Sequence, residues 1–63
     1  MIDPDALYLR SEAASLLRQP ERTLSDWAYR GEGPSYHRCG KRAIYKGADL
    51  LAYLESRRIE GHR

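Results

Sequence analysis

The sequence predicts a mainly α-helical domain: three short helices plus a small two-stranded β-hairpin. Three observations carry this expectation. Apolar residues recur at helical spacing in three separate stretches. Pro20, Gly31, Gly33-Pro34 and Gly40 punctuate the chain between them. The one stretch rich in strand-favouring residues is split by Gly40-Lys41, a loop with glycine first, which is the composition of a type II′ hairpin turn. A chain of 63 residues forms one domain and buries only roughly 60% of its unfolded surface, so it has little room for a catalytic cleft between lobes.

Residues 1–7 are expected as an N-terminal tail, and Leu7-Tyr8-Leu9, the first segment after it, is too short for more than a strand stub. Ser11 has the chemistry of a helix N-cap, with Glu12 placed where the helix dipole favours an anion. Ala13, Ala14, Leu16 and Leu17 then form one apolar stripe on a first helix. Arg18 and Gln19 break that stripe, and Pro20 suits the first position of a second helix, expected over residues 20–30. Leu24, Trp27 and Ala28 are its inward positions. Arg22, Asp26 and Tyr29 fall opposite, with Thr23 and Ser25 on the flanks, and Gly31 is the expected C-terminal cap. Tyr36-His37-Arg38-Cys39 and Arg42-Ala43-Ile44-Tyr45 form the hairpin. Leu50, Leu51 and Leu54 mark a third helix over residues 48–58, with Asp49 early and Arg57-Arg58 late. Residues 59–63 are polar and unpatterned, a flexible tail, which leaves residues 8–58 as the domain.

Composition and charge narrow the function. Hydrophobic residues at 41% and charged residues at 32% describe a folded chain rather than a disordered one. The single cysteine, Cys39, precludes an intramolecular disulfide. No apolar stretch approaches the roughly 20 residues of a membrane span, and the acidic start is unlike a signal peptide, so a cytosolic location is expected. Charge is uneven. Residues 1–31 hold four Arg against five Asp or Glu, whereas residues 32–63 hold seven Lys or Arg against four acids. Arg38, Lys41, Arg42 and Lys46 cluster on the hairpin.

A short helix with a polar outer flank, beside a hairpin with a cationic tip, is what a DNA reader needs. The major groove admits one α-helix, and phosphate contacts from the tip supply affinity while the helix supplies sequence choice. A metal reading of His37, Cys39 and His62 fails on ligand number and spacing, and Cys39 is expected as a small core thiol. Ser11, Asp26 and His37 have no motif that would assemble them into a catalytic group. The expectation is therefore a non-enzymatic protein with no cofactor and no small-molecule substrate.

The residues also resemble a known family. Leu9-Arg10-Ser11-Glu12-Ala13-Ala14-Ser15-Leu16-Leu17, Thr23-Leu24-Ser25-Asp26-Trp27, Gly33-Pro34, Tyr36, Gly40-Lys41-Arg42 and Asp49-Leu50-Leu51-Ala52-Tyr53-Leu54 resemble the MerR-like winged helix-turn-helix of phage excisionases. Small prophage transcriptional regulators share the pattern and are the alternative, with a protein-interaction adaptor as a third. The resemblance implies a recombination directionality factor in the bacterial host cytosol. It would bind double-stranded DNA at repeated sites, side by side with copies of itself, and bend it. It would thereby steer a phage integrase, of the tyrosine type or another, toward excision. The lack of an appended dimerisation helix or effector domain in this sequence favours the excisionase over the regulator. Carried onto this chain, Arg22, Thr23, Ser25, Asp26, Tyr29 and Arg30 would be the recognition-helix contacts, and Arg38, Lys41 and Arg42 the wing contacts. Ser11 and Arg18 would approach phosphates from the first helix and the turn. Asp3 and Asp5 are candidates to meet Arg57-Arg58 of a neighbouring copy.

Overall fold

A computed structural model describes residues 1–61; His62 and Arg63, the end of the expected tail, lie outside the described residues. The elements in order are β1 (Leu7–Leu9), α1 (Arg10–Leu17), α2 (Glu21–Arg30), β2 (His37–Cys39), β3 (Arg42–Lys46) and α3 (Gly47–Ser56). The three helices and the hairpin are those expected from the sequence, and together they make a winged helix-turn-helix. The wing, however, carries a third strand: β1 pairs antiparallel with β3, giving a sheet of order β1-β3-β2. A strand of this length has no stability of its own. It forms because β3 offers it an otherwise unpaired edge, with Tyr8 opposite Tyr45 and Leu9 opposite Ile44.

β3 is thus the middle strand, and its alternation builds the core. Ala43 and Tyr45 point inward and are buried, while Arg42 and Lys46 are exposed. Tyr45 packs with Ala13 and Ala14 of α1, Leu24 of α2 and Leu50 of α3 in one buried cluster, joined by the half-buried Tyr8, Leu16, Leu17, Trp27 and Tyr36. The small residues Ala13 and Ala14 face this cluster, so α1 can approach the sheet closely. Trp27 is half-buried, its ring 5.4 Å from that of Tyr53. Tyr36 is held at the same distance, 5.4 Å, from Tyr45. Among the described residues no helix is long and apolar enough to cross a membrane.

Several boundaries depart from the sequence reading. The first helix starts at Arg10 with Leu9 at the N-cap, so Ser11 lies inside the helix and caps nothing. The cap is made from the other side, since the Leu9 backbone N–H donates to the Glu12 carboxylate at 2.7 Å. Pro20 is extended, with ψ 146°, and is itself the N-cap, so the second helix spans Glu21–Arg30 and not residues 20–30. The third helix begins at Gly47 and ends at Ser56, leaving Arg57 and Arg58 beyond its last turn. Arg58 lies 3.8 Å from Glu55 and 3.6 Å from Glu60 of its own chain.

The hairpin turn has the expected form: Cys39 pairs with Arg42, and Gly40 alone of the two loop residues has positive φ, at 63°, as type II′ requires. Its register overturns the reading of Cys39 as a core thiol. Arg38 is the residue opposite the inward-facing Ala43, so Cys39, opposite Arg42, shares the outward face and is exposed.

The start of the chain is tied down. The amides of Gly47 and Ala48, which have no partner within α3, donate to the carbonyls of Ala6 (2.9 Å) and Pro4 (3.0 Å). The Asp3 amide donates to the Tyr8 hydroxyl at 2.9 Å, and Ile2 packs against the core. This approach is so close that a Cβ on Gly47 would lie 1.8 Å from the Asp3 carbonyl oxygen. Gly47→Ala is therefore expected to lower stability by about 1–3 kcal/mol, despite the better helix propensity of alanine. In a chain lacking residues 1–5 the same substitution is expected to be neutral or stabilising. Thermal unfolding of both pairs checks this, and equal losses in the two backgrounds would remove the docked segment as the cause.

Candidate nucleic-acid interface

α2 separates its residues sharply by face. Leu24 is buried and Trp27 and Ala28 are half-buried, whereas Arg22, Ser25, Asp26 and Tyr29 are exposed. These four recur at i, i+3, i+4 and i+7 and so form one continuous outward stripe. Tyr29, at 93% exposure, contributes nothing to the core. Thr23 is half-buried and its amide donates to the Pro20 carbonyl at 2.9 Å, so it belongs to the turn into the helix more than to its outer face. Arg30 is exposed at the far end of α2, 3.8 Å from Glu32. Exposed pairs of this kind contribute roughly 0–1 kcal/mol and leave the guanidinium free to exchange partners.

A cleft of ≈ 250 Å³ opens between the start of α1, the start of α2 and the hairpin tip. Its walls are Leu9, Arg10 and Ser11, then Glu21 and Ser25, then Lys41, Arg42 and Ala43. It brings together residues from three of the expected groups: Ser11 of the first helix, Ser25 of the second, and Lys41 and Arg42 of the tip. It does not take in the other members of the hairpin's cationic run. Arg38 sits on β2 opposite Ala43, and Lys46 closes the far end of β3 opposite Leu7. At about 3.3 Å per residue, the strand separates Lys46 from Arg42 by roughly 13 Å. Four cations adjacent in sequence are therefore not one patch in space.

Arg18, expected near a phosphate, has a defined backbone role. It is the C-cap of α1 in the left-handed conformation, φ 60° and ψ 39°, and no other described non-glycine residue has positive φ. Its amide donates to Ser15 (3.2 Å) and that of Gln19 to Ala14 (2.9 Å), closing the tight turn that aims α2.

The residue that sequence reasoning missed is Arg10. Its Nε donates to the Tyr45 hydroxyl at 3.1 Å and its Nη1 to Ser25 Oγ at 3.3 Å. The guanidinium carbon lies 5.4 Å from the Tyr36 ring centre and 5.9 Å from that of Tyr45, within cation–π range of both. Nη2 is buried with no hydrogen-bond partner. Arg10 thus ties α1 to α2 and to β3 at the floor of the cleft. Its partners lie 15 and 35 positions away, so no local pattern could have shown the arrangement. Glu21, also on the cleft wall, was likewise not singled out from sequence.

Because a left-handed arginine is strained by roughly 1–2 kcal/mol, Arg18→Gly is expected to raise stability by about 0.5–1 kcal/mol after the added chain entropy of glycine is subtracted. Urea unfolding measures this, and a destabilised variant would show that the Arg18 side chain contributes more than its backbone geometry costs.

The comparisons with known proteins agree with the geometry. No curated protein and no solved structure matches the chain. A family described as "Helix-turn-helix domain" matches residues 10–58, which span α1, the Arg18 turn, α2, the hairpin and α3. The match covers most of the sequence, and the chain belongs to this helix-turn-helix family of DNA-binding domains.

Proposed function

We propose that this protein is an excisionase: it binds repeated DNA sites beside a phage attachment site, bends the DNA and directs the partner integrase toward excision. The observation that carries the reading is the shared opening of α2 and the cationic hairpin tip onto one cleft, with the polar stripe of α2 outward beside it. A helix seated in a major groove then places Lys41 and Arg42 near the flanking backbone. Arg22 and Asp26 read base edges, with Ser25 beside them on the cleft wall. Arg22 suits a bidentate contact to guanine, and Asp26 accepts from cytosine N4. Tyr29, Arg30 and Thr23 contact the surrounding sugar-phosphate, as do Ser11, Arg18 and Arg38. The excisionase role in particular is supported by the motif resemblance over residues 8–54 and by the small size of the interface. About six phosphate contacts give a salt slope near −5, which is modest affinity for a lone domain. Several copies side by side on one bent site supply the remainder.

Footprinting on DNA around the attachment site of the neighbouring integrase gene tests this reading. Protection of direct repeats there is expected; protection of a promoter alone would make the protein a prophage regulator. Arg22→Ala is expected to lower specific affinity by about 1–3 kcal/mol and to relax preference at one base pair, measured by mobility shift on a set of single-base variants. An equal loss on every sequence would make Arg22 a backbone contact.

A further inference from the structure

We propose that the cleft between α1, α2 and the hairpin tip seats one phosphate group, with Arg10 as the positioning residue beneath it. This deepens the reading above, on which the identity of the phosphate as a DNA backbone phosphate rests. The cleft is lined by Arg10, Lys41 and Arg42 against a single carboxylate, Glu21, and no described residue forms a salt bridge with any of the three cations. Uncompensated positive charge on a partly desolvated wall attracts an anion more strongly than the same charge on an open surface.

Shape and donor chemistry narrow the anion. The cleft is open and walled by hydroxyls and charged groups, with only Leu9 and Ala43 apolar, so it suits a compact oxyanion and not an organic ring. Donor-bearing residues line it from three sides: Ser11 and Ser25 with their hydroxyls, Lys41 with its ammonium and Arg42 with its guanidinium. Arg10 joins them from below. Two of its nitrogens are committed to Tyr45 and Ser25 and its third is buried without a hydrogen-bond partner, so beyond the two aromatic faces no carboxylate of the described residues pairs with its charge. By holding Ser25 Oγ, it also sets the recognition helix at a defined distance from β3. The phosphate then bridges the base-reading helix and the hairpin tip, and one contact registers both on the duplex.

The test uses the full chain in two arms. Inorganic phosphate is titrated into the protein and followed by amide NMR. The amides of Ser11, Ser25, Lys41 and Arg42 are expected to shift together and saturate. Arg10→Met is expected to weaken this response at least tenfold, whereas Arg10→Lys retains most of it because the charge remains. In the second arm, duplex affinity is measured against salt. Arg10→Met, the pair Lys41→Ala with Arg42→Ala, and all three together are each expected to flatten the slope by the same amount, roughly 0.9, because they serve one phosphate. Additive losses of slope, or phosphate shifts scattered over the basic surface without Ser11 and Ser25, would overturn the proposal. If Arg10→Met fails to fold, Arg10→Lys and the exposed Lys41 and Arg42 variants decide the matter alone. A saturable phosphate response with no mobility shift on any duplex would keep the seat and overturn the DNA reading, assigning the seat to another phosphate-bearing ligand.

Discussion

Everything in this small domain leans on Tyr45. It is 1% exposed and shares one buried cluster with residues of all three helices, and its hydroxyl accepts a hydrogen bond at the edge of that cluster. A buried hydroxyl must be satisfied, and Arg10 satisfies it by donating from Nε. That bond brings a cation to the edge of the core, where the Tyr36 and Tyr45 rings stabilise it through their faces and Ser25 takes a second N–H. Stability and interface geometry are therefore coupled through a single side chain. A domain that buries so little surface has few other means of holding a hairpin against a helix.

The sheet and the turn serve the same end. β3 is paired on both edges, which keeps the hairpin from swinging as a free two-stranded ribbon. The Arg18 turn aims α2 at the expense of a strained backbone, and the cap at Glu12 starts α1 with its first turn beside the cleft. Residues 1–6 close the far side by capping α3, so a segment that reads as a tail is part of the folded unit. Placing α2 and the hairpin tip on one opening is the product of these separate constraints, each worth only a few kcal/mol at most.

Local patterns in the chain determine which segments become helices and where the hairpin turns. The stripe of Leu24, Trp27 and Ala28 sets the inward side of α2, which leaves Arg22, Ser25, Asp26 and Tyr29 outward, and Gly40-Lys41 sets the turn type. These features depend on residues within one or two turns of each other. Tertiary structure decides the rest: the pairing of β1 with β3, the outward placement of Cys39, the dispersal of the hairpin cations, and the Arg10 network. Each rests on contacts between residues far apart in the chain or on a strand register in which one step reverses the face. Spacing along a sequence records neither of these, because both are fixed only when distant segments compete for the same partners in three dimensions.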